Sequence, residues 1–329
     1  MSPSSTSSPR YPLSVIVTPV YNGAEYLDET MSSVQAQDYP NLLHIVLDNA
    51  STDGTSQIIA KYASARVPVR MFRNSSVLPI AQNWNAAVSL IPPEAKYFRV
   101  LSADDLIKPA FISKAIDVLE RNANLGVVAV LFHENDGPTI APRWPEEGEV
   151  IVGREAIKLY FRDIALLPSL HAVYRRSAVL PDRPFFDQKL TAFDLDATLR
   201  VLCESDLGLV REDLAMTRLH PRNLSFQVLD QQKRHYFEWL YFLNRYGPVG
   251  LGRQEADAMI KLYRRQYLRR LIKWRLKGNR ENSALHFKSL EKLGCRPTLW
   301  QFADALLDWP LARLRFRASW EGYPLWEAR

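Results

Sequence analysis

Residues 99–109 read Arg-Val-Leu-Ser-Ala-Asp-Asp-Leu-Ile-Lys-Pro, an apolar run that stops at two adjacent carboxylates and closes on a proline. Tyr97 to Leu101 has the length and apolar character of a buried strand, so Asp104 and Asp105 project beyond its carboxyl end. The same event occurs twice upstream. Leu13 to Val17 (LSVIV) runs into Thr18-Pro19-Val20-Tyr21-Asn22-Gly23, and Leu42 to Leu47 (LLHIVL) runs into Asp48-Asn49-Ala50-Ser51-Thr52-Asp53-Gly54. Pro, Asn and Gly mark both as loops. Between the runs, Leu27, Met31 and Val34 have helical spacing within Glu25 to Gln35. A second helix is expected after Ser51 or Asp53 as its cap, with Ile58, Ile59 and Tyr62 inside. Val67 to Phe72 reads as a third strand and Ala81 to Leu90 as another helix. Strands alternating with helices imply an α/β fold, a mostly parallel sheet with helices on both faces. Ligands of such sheets bind beyond the carboxyl ends of the strands. The acids sit where a ligand would.

The chain has 329 residues, 47% hydrophobic and 24% charged, which is ordinary globular composition. Cys203 and Cys295 stand far apart and in no metal-binding spacing, so a reduced, cytoplasmic protein is expected. Residues 1–11 form a Ser/Pro-rich stretch read as a disordered tail. No apolar run approaches the roughly 18 residues that span a bilayer. The net charge of +6 points to anionic partners. No G-x-G-x-x-G follows the first strand and no P-loop motif occurs anywhere, which removes the usual dinucleotide and P-loop readings. Hard carboxylates beside a polyphosphate instead suit Mg²⁺ or Mn²⁺.

Beyond Asp105 a helix is expected over Pro109 to Arg121, a strand over Gly126 to Phe132, and a long loop over Glu134 to Gly148. Past Ser225 the chain turns to Trp, Tyr, Leu and Arg at helical spacing. The expected division is therefore a tail over 1–11, a catalytic domain over 12–225 and a basic helical extension over 226–329.

The ordered segments VIVTPVYNGAEYL, HIVLDNASTDGT, AQNWNAAV and RVLSADDLIKP resemble the family-2 glycosyltransferases of GT-A fold. The later segments LHAVYRRSAVL, FDLDATLRV and LAMTRLHPRNLS fall in the order that family uses. The resemblance implies an inverting transfer of a sugar from a nucleotide-sugar donor to an acceptor hydroxyl, in polysaccharide or glycolipid synthesis. It implies that Pro19, Tyr21 and Asn22 line the nucleotide pocket, with Tyr21 against the base, and that Asp48 accepts a hydrogen bond from base or ribose. Asn49 stands where the family usually has a second acid. Asn83 resembles a donor-side residue, although a locally satisfied helix amide reads equally well. Ser102 replaces the first acid of the family's D-x-D, leaving Asp104 as the metal and donor contact and Asp105 as its support or a helix cap. Asp194 is the implied catalytic base. Phe193 beside it offers partial desolvation, and Asp196, two residues on, would face away on a helix. Arg200 implies structural support. His220 would be a metal ligand or a phosphate donor, and Arg175 and Arg176 read equally as acceptor-side or solvated.

Leu262 to Arg280 (LYRRQYLRRLIKWRLKGNR) has eight Lys/Arg and no acid. It reads either as a basic amphipathic helix for an anionic membrane on the cytoplasmic face, or as a helix packed on the catalytic domain with its Arg heads outward. The resemblance implies a saccharide or lipid-linked acceptor. No nucleic-acid module accompanies the charge. Ser102, Asn49 and Phe193 in place of three acids also fit a non-catalytic nucleotide-sugar binding module. A nucleotidyltransferase would need a Gly- and Lys-rich loop that is missing.

Overall fold

A computed structural model describes residues 11–140, 144–162, 167, 169–179, 184–223 and 232–308. The expected tail, but for Tyr11, lies outside them. The chain forms two compact units. The first comprises Met1–Val152, Pro168–Phe186 and Glu204–Leu219, and the second Gly153–Leu167, Asp187–Cys203 and His220–Arg329.

The first unit holds a ten-stranded sheet. Its strands are β1 Ser14–Val20, β2 Leu42–Asp48, β3 Val69–Arg73, β4 Tyr97–Val100, β5 Leu106–Ile107, β6 Leu125–Glu134, β7 Thr139–Ile140, β8 Val150–Ile151, β9 Ala172–Arg175 and β10 Asp206–Thr217. Its helices are α1 Leu27–Gln35, α2 Thr55–Ala60, α3 Ile80–Ser89 and α4 Phe111–Arg121. The order is β3-β2-β1-β4-β9-β6-β10-β5, with β7 beside β6 and β8 beside β10. β3, β2, β1 and β4 are mutually parallel, as the alternation of strand and helix implies. β1 and β2 are buried at every residue, the signature of a sheet covered on both faces. Leu27 and Met31 of α1 pack with Val20, Val46 and Ile59, while Phe111, Ile112, Ile116 and Leu119 of α4 pack with Val128, Val130 and Val173.

β9 enters antiparallel between β4 and β6. Its last residue explains how it is held. Arg175 donates to the carbonyls of Leu119 (2.6 Å), Asn122 (3.1 Å) and Leu125 (2.7 Å), and to Tyr97 Oη (3.2 Å). The guanidinium thus satisfies carbonyls left over at the end of α4, a structural role in place of the acceptor contact considered for it.

The second unit contains α5 Gly153–Phe161, α6 Phe193–Leu202, α7 His235–Gly250, α8 Arg253–Leu276, α9 Arg280–Lys292 and α10 Leu299–Leu307. α7 packs on α5 through Trp239 and Phe161, whose ring centroids lie 5.9 Å apart. A Cβ on Gly250 would come within 2.7 Å of Lys158 N, so that approach of α7 to α5 requires glycine.

α8 is not a free amphipathic surface. Tyr267, Leu268 and Leu271 are buried, and Trp274 meets Tyr236 and His286 edge-on. Arg265 pairs with Asp304 and Asp308, Arg269 pairs with Asp308, and Arg270 donates to Tyr236 Oη while lying 4.5 Å over its ring. Neither reading of this helix describes these residues: α8 packs on α7, α9 and α10 of its own unit, and Arg265, Arg269 and Arg270 turn to partners there in place of facing outward. No helix among the described residues is long and apolar enough to cross a membrane.

Candidate active site

The parallel register sets Val20, Asp48 and Arg73 in one row. Leu101 N donates to Val17 O at 2.9 Å, so β4 leaves the sheet beside β1. The loops after β1, β2, β3 and β4 therefore open on one carboxyl-terminal edge of the first unit. Pro19 is tolerated inside β1 because the Val17 carbonyl takes the last β4 bond, and the missing N–H falls where β4 has already departed.

Two of these loops are knitted together. Asn22 N donates to Ser51 Oγ (2.9 Å), Thr52 N to Asn22 Oδ1 (2.9 Å), Gly23 N to Thr55 Oγ1 (3.0 Å) and Ala24 N to Asp53 Oδ2 (3.1 Å). Asn22 and Ala50 both adopt left-handed backbone, with φ of 49° and 57°. For Ala50 that conformation carries strain, held by the surrounding bonds. The Asn22 amide is thus committed to the neighbouring loop, whereas Tyr21 is half exposed at the edge (50%). Gly54, and neither Ser51 nor Asp53, is the N-cap of α2, and Asp53 accepts from Thr55 N at 3.0 Å from one residue before the cap.

Asp48 is fully buried. Burial pushes its carboxyl pKa up, but hydrogen bonds from Ser51 and Ser56 and the Arg73 guanidinium outweigh that and hold it below the ordinary range. Ser51 N donates to Oδ1 at 2.9 Å, while Ser56 Oγ and Arg73 donate to Oδ2. The carboxylate is a fixed anion.

Asn49 explains why no second acid follows. Its Nδ2 donates to Leu78 O and its Oδ1 accepts from Leu78 N, each at 2.9 Å, and from Asn74 Nδ2 at 2.8 Å. A carboxylate there would lose the donor to Leu78. Asn74 Nδ2 also donates to Asn83 Oδ1 at 2.9 Å, so Asn83, buried in α3, joins an amide chain that ties α3 to the end of β2. The next two residues of the NWN motif anchor another segment. Trp84 meets Phe186 edge-on at 5.5 Å, and Asn85 exchanges two hydrogen bonds with the Phe186 backbone.

At the turn after β4, the two acids differ. Asp105 is buried and accepts from Arg218 N at 3.1 Å. Burial, then the charge of Asp104, push its carboxyl pKa up, against the Arg218 N–H, the Arg99 charge and Ser102. Asp104 is half-buried. Sequence reasoning missed Arg218, which clamps this turn. Its Nε donates to Asp104 O at 3.1 Å, its Nη2 pairs with Glu29 of α1, and its guanidinium lies 4.8 Å over Tyr26. Thr30 Oγ1 adds a bond to Ala103 O at 3.0 Å. Arg99, fully buried on β4, lies 4.2 Å over Phe111, and its guanidinium nitrogens find no hydrogen-bond partner among the described residues. Burial lowers its pKa to about 10.

Among the described residues no three His, Cys, Asp or Glu converge as a closed metal site. The turn offers one half-buried carboxylate, Asp104, a hard oxygen donor. That fits a Mg²⁺ or Mn²⁺ ion whose remaining ligands are phosphate and water, and does not fit a protein-enclosed ion.

In the second unit, Asp194 is half-buried in the first turn of α6, and Asp196 is fully buried. Tyr246 Oη donates to Asp196 Oδ1 at 2.5 Å and Arg200 Nε to Oδ2 at 3.1 Å. Asp196 and Arg200 are thus a structural pair, in keeping with the helical argument that set Asp196 aside. Thr191 N and Ala192 N, at the start of α6, donate to the buried Glu238 carboxylate of α7. Glu238 was also missed. The signal was present as a single acid in the otherwise apolar and aromatic run Tyr236-Phe237-Glu238-Trp239-Leu240. His220 Nδ1 accepts from Arg222 N at 3.2 Å, which leaves the proton of a neutral ring on Nε2.

A mixed sheet with a parallel half and acids at its strand ends is the arrangement that the resemblance to GT-A transferases implies. The sequence profile named Glycosyl transferase family 2 matches residues 15–180, about half of the chain, and the chain belongs to that family. It is a glycosyltransferase. An uncharacterized glycosyltransferase of Rickettsia typhi is 27% identical over 275 residues, 78% of each chain. The putative teichuronic acid biosynthesis glycosyltransferase TuaG of Bacillus subtilis is 29% identical over 129 residues, 38% of this chain and 50% of that protein. S. aureus TarS 1–349, solved with UDP-GlcNAc, matches with a TM-score of 0.66 at 14% identity over 93% of this chain and 91% of its own. The mannosyltransferase PcManGT from Pyrobaculum calidifontis, solved with GDP-Man and Mn²⁺, matches with a TM-score of 0.56 at 16% identity over 93% of this chain and 81% of its own. These likenesses carry the fold.

Proposed function

We propose that the chain is an inverting glycosyltransferase that moves a sugar from a nucleoside-diphosphate sugar to a hydroxyl of a saccharide or lipid-linked acceptor, in cell-envelope polysaccharide synthesis. The observation that carries this reading is the edge of the first unit, where the half-exposed Tyr21, the fixed anion Asp48 and the half-buried Asp104 occupy loops locked by Ser51, Thr52, Thr55 and Arg218. Tyr21 stacks on the base, and the fully buried Asp48 serves base and ribose by holding the loop after β2 in place. Asp104 would hold a divalent ion, which when bound would supply positive charge against the departing diphosphate. His220 serves the diphosphate, as a phosphate donor or as a further ligand of the ion. Asp194 takes the acceptor proton as the acceptor oxygen attacks the anomeric carbon, and attack from the face opposite the leaving group inverts the configuration. Envelope synthesis is supported by the printed role of TuaG in teichuronic acid biosynthesis, and the net charge of +6 supports contact with an anionic membrane from the cytoplasmic side.

A thermal-shift screen of nucleoside diphosphates and their sugars, with and without Mn²⁺, tests the donor reading. A stabilising nucleotide with a Mn²⁺-dependent increment is expected, and Asp104→Ala should remove that increment. An increment unchanged in Asp104→Ala rejects Asp104 as the metal contact. Absence of turnover with every nucleotide-sugar that binds would favour the non-catalytic module.

A further inference from the structure

Helix α10 turns its polar side inward. Arg265 donates to Asp304 at 2.6 and 2.7 Å and to Asp308 at 3.0 Å, and Arg269 donates to Asp308 at 3.3 Å. Ala305 is fully buried, and the Phe302 ring lies 5.9 Å from Phe287 of α9. At about 3.6 residues per turn, Leu306, Leu299, Ala303, Leu307 and Trp300 follow one another around the opposite side. That arc faces outward, with Leu299 at 89% exposure, Trp300 at 75% and Leu307 at 72%. A helix of a soluble surface has the reverse arrangement. The stripe begins on an ordered turn, because Thr298 and Gln301 form a capping box. Contiguous exposed apolar surface of this kind marks an interaction site.

Charge identifies the occupant. Residues 253–329 carry seventeen Lys/Arg against eight Asp/Glu, more than the whole net charge of the chain. With Asp304 and Asp308 turned inward and Glu291 paired with Arg296, exposed Lys261 on α8 and Lys288 and Lys292 on α9 are the cations nearest this helix in the neighbouring segments, against the exposed acids Asp257 and Glu281. A second copy would set like charge against like. An anionic bilayer supplies opposite charge above hydrocarbon, and a tryptophan at the helix start suits that boundary.

We infer that α10 is the membrane-seating element, with Leu299, Trp300, Leu306 and Leu307 entering the acyl boundary of an anionic bilayer and the flanking Lys and Arg meeting its headgroups. This deepens the membrane contact proposed above, moves it from α8 to α10, and does not depend on transfer chemistry. The test is co-sedimentation of the full chain, without nucleotide, with vesicles of phosphatidylcholine containing phosphatidylglycerol and with phosphatidylcholine alone. Binding to the anionic vesicles should exceed binding to the neutral ones by at least about tenfold, and Leu299→Ser/Trp300→Ser/Leu307→Ser should weaken it by at least about tenfold with an unchanged melting temperature. Hydrogen exchange over residues 299–307 of the unmodified chain gives a second readout and should slow on anionic vesicles. Wild-type binding by the triple variant, no vesicle binding by the unmodified chain, or a dimer that the variant converts to monomer would each overturn the inference. Because vesicle binding is read without a sugar donor, a failure of transfer would leave it standing.

Discussion

Asp194→Asn is expected to lower sugar transfer by about 10²–10⁴-fold, the usual worth of a general base, while nucleotide binding and melting temperature stay as in the parent protein. Asp196→Ala should do the opposite. Asp194 is half-buried in the first turn of α6, whereas Asp196 is sealed between Tyr246 and Arg200. Removing one partner of a buried ion pair costs about 3–5 kcal/mol, so the loss at residue 196 should appear as a lower melting temperature. Single-turnover transfer and thermal melts on the two variants separate the roles. Transfer retained in Asp194→Asn would reject that residue as the base, and an unchanged melt in Asp196→Ala would reject the structural pair.

Acid should destabilise the first unit well above the carboxylate range. His44 is fully buried with Nε2 2.9 Å from Thr18 Oγ1, and burial takes its pKa down to about 3. His171 lies beside Thr217, and burial, then the charges of Arg99 and His133, hold it well below the ordinary imidazole range. Both rings are neutral in the folded state, and both take up a proton near pH 6.5 once unfolded. Their folded pKa values are the lower ones, so the stability they contribute is complete above the unfolded value. It is lost as pH falls below that value, by up to about 1.4 kcal/mol per pH unit for each histidine. The depressed carboxylates Asp48 and Asp213 add a separate loss only at lower pH, as it falls below the unfolded carboxylate value and through their folded ones. Asp105, whose buried carboxyl is pushed up to about 7, gains stability as pH falls through that value and offsets one of the two histidines. Calorimetric melts between pH 6.5 and 5 should therefore show a falling midpoint in the parent and a steeper fall in Asp105→Asn, and equal slopes in the two would contradict this balance.

The parallel half of the sheet was legible because each of its strands is a short apolar run closed by loop residues, and parallel order alone puts their ends on one edge. Asp48 and Asp104 could be placed there without coordinates. The antiparallel insertion of β9 was not legible, since four residues bounded by segments of mixed character carry no pairing information. Clamps were missed for a related reason. Arg175 and Arg218 look like surface cations in sequence, and only the fold brings backbone carbonyls to them. Glu238 was detectable as a lone acid among aromatics, but its partners, Thr191 N and Ala192 N, lie far away in the chain. The basic character of α8 was plain in sequence, whereas its use was not. Arg265 and Arg269 face acids supplied by α10, an arrangement that pattern alone does not specify.

Hydrogen–deuterium exchange with the nucleoside diphosphate that gives the largest thermal shift tests most directly whether the strand ends of the first unit form the donor pocket. Exchange should slow in residues 21–24, 48–54 and 102–105 together. Protection confined to other segments, with those three loops exchanging as in the unbound protein, would contradict the account.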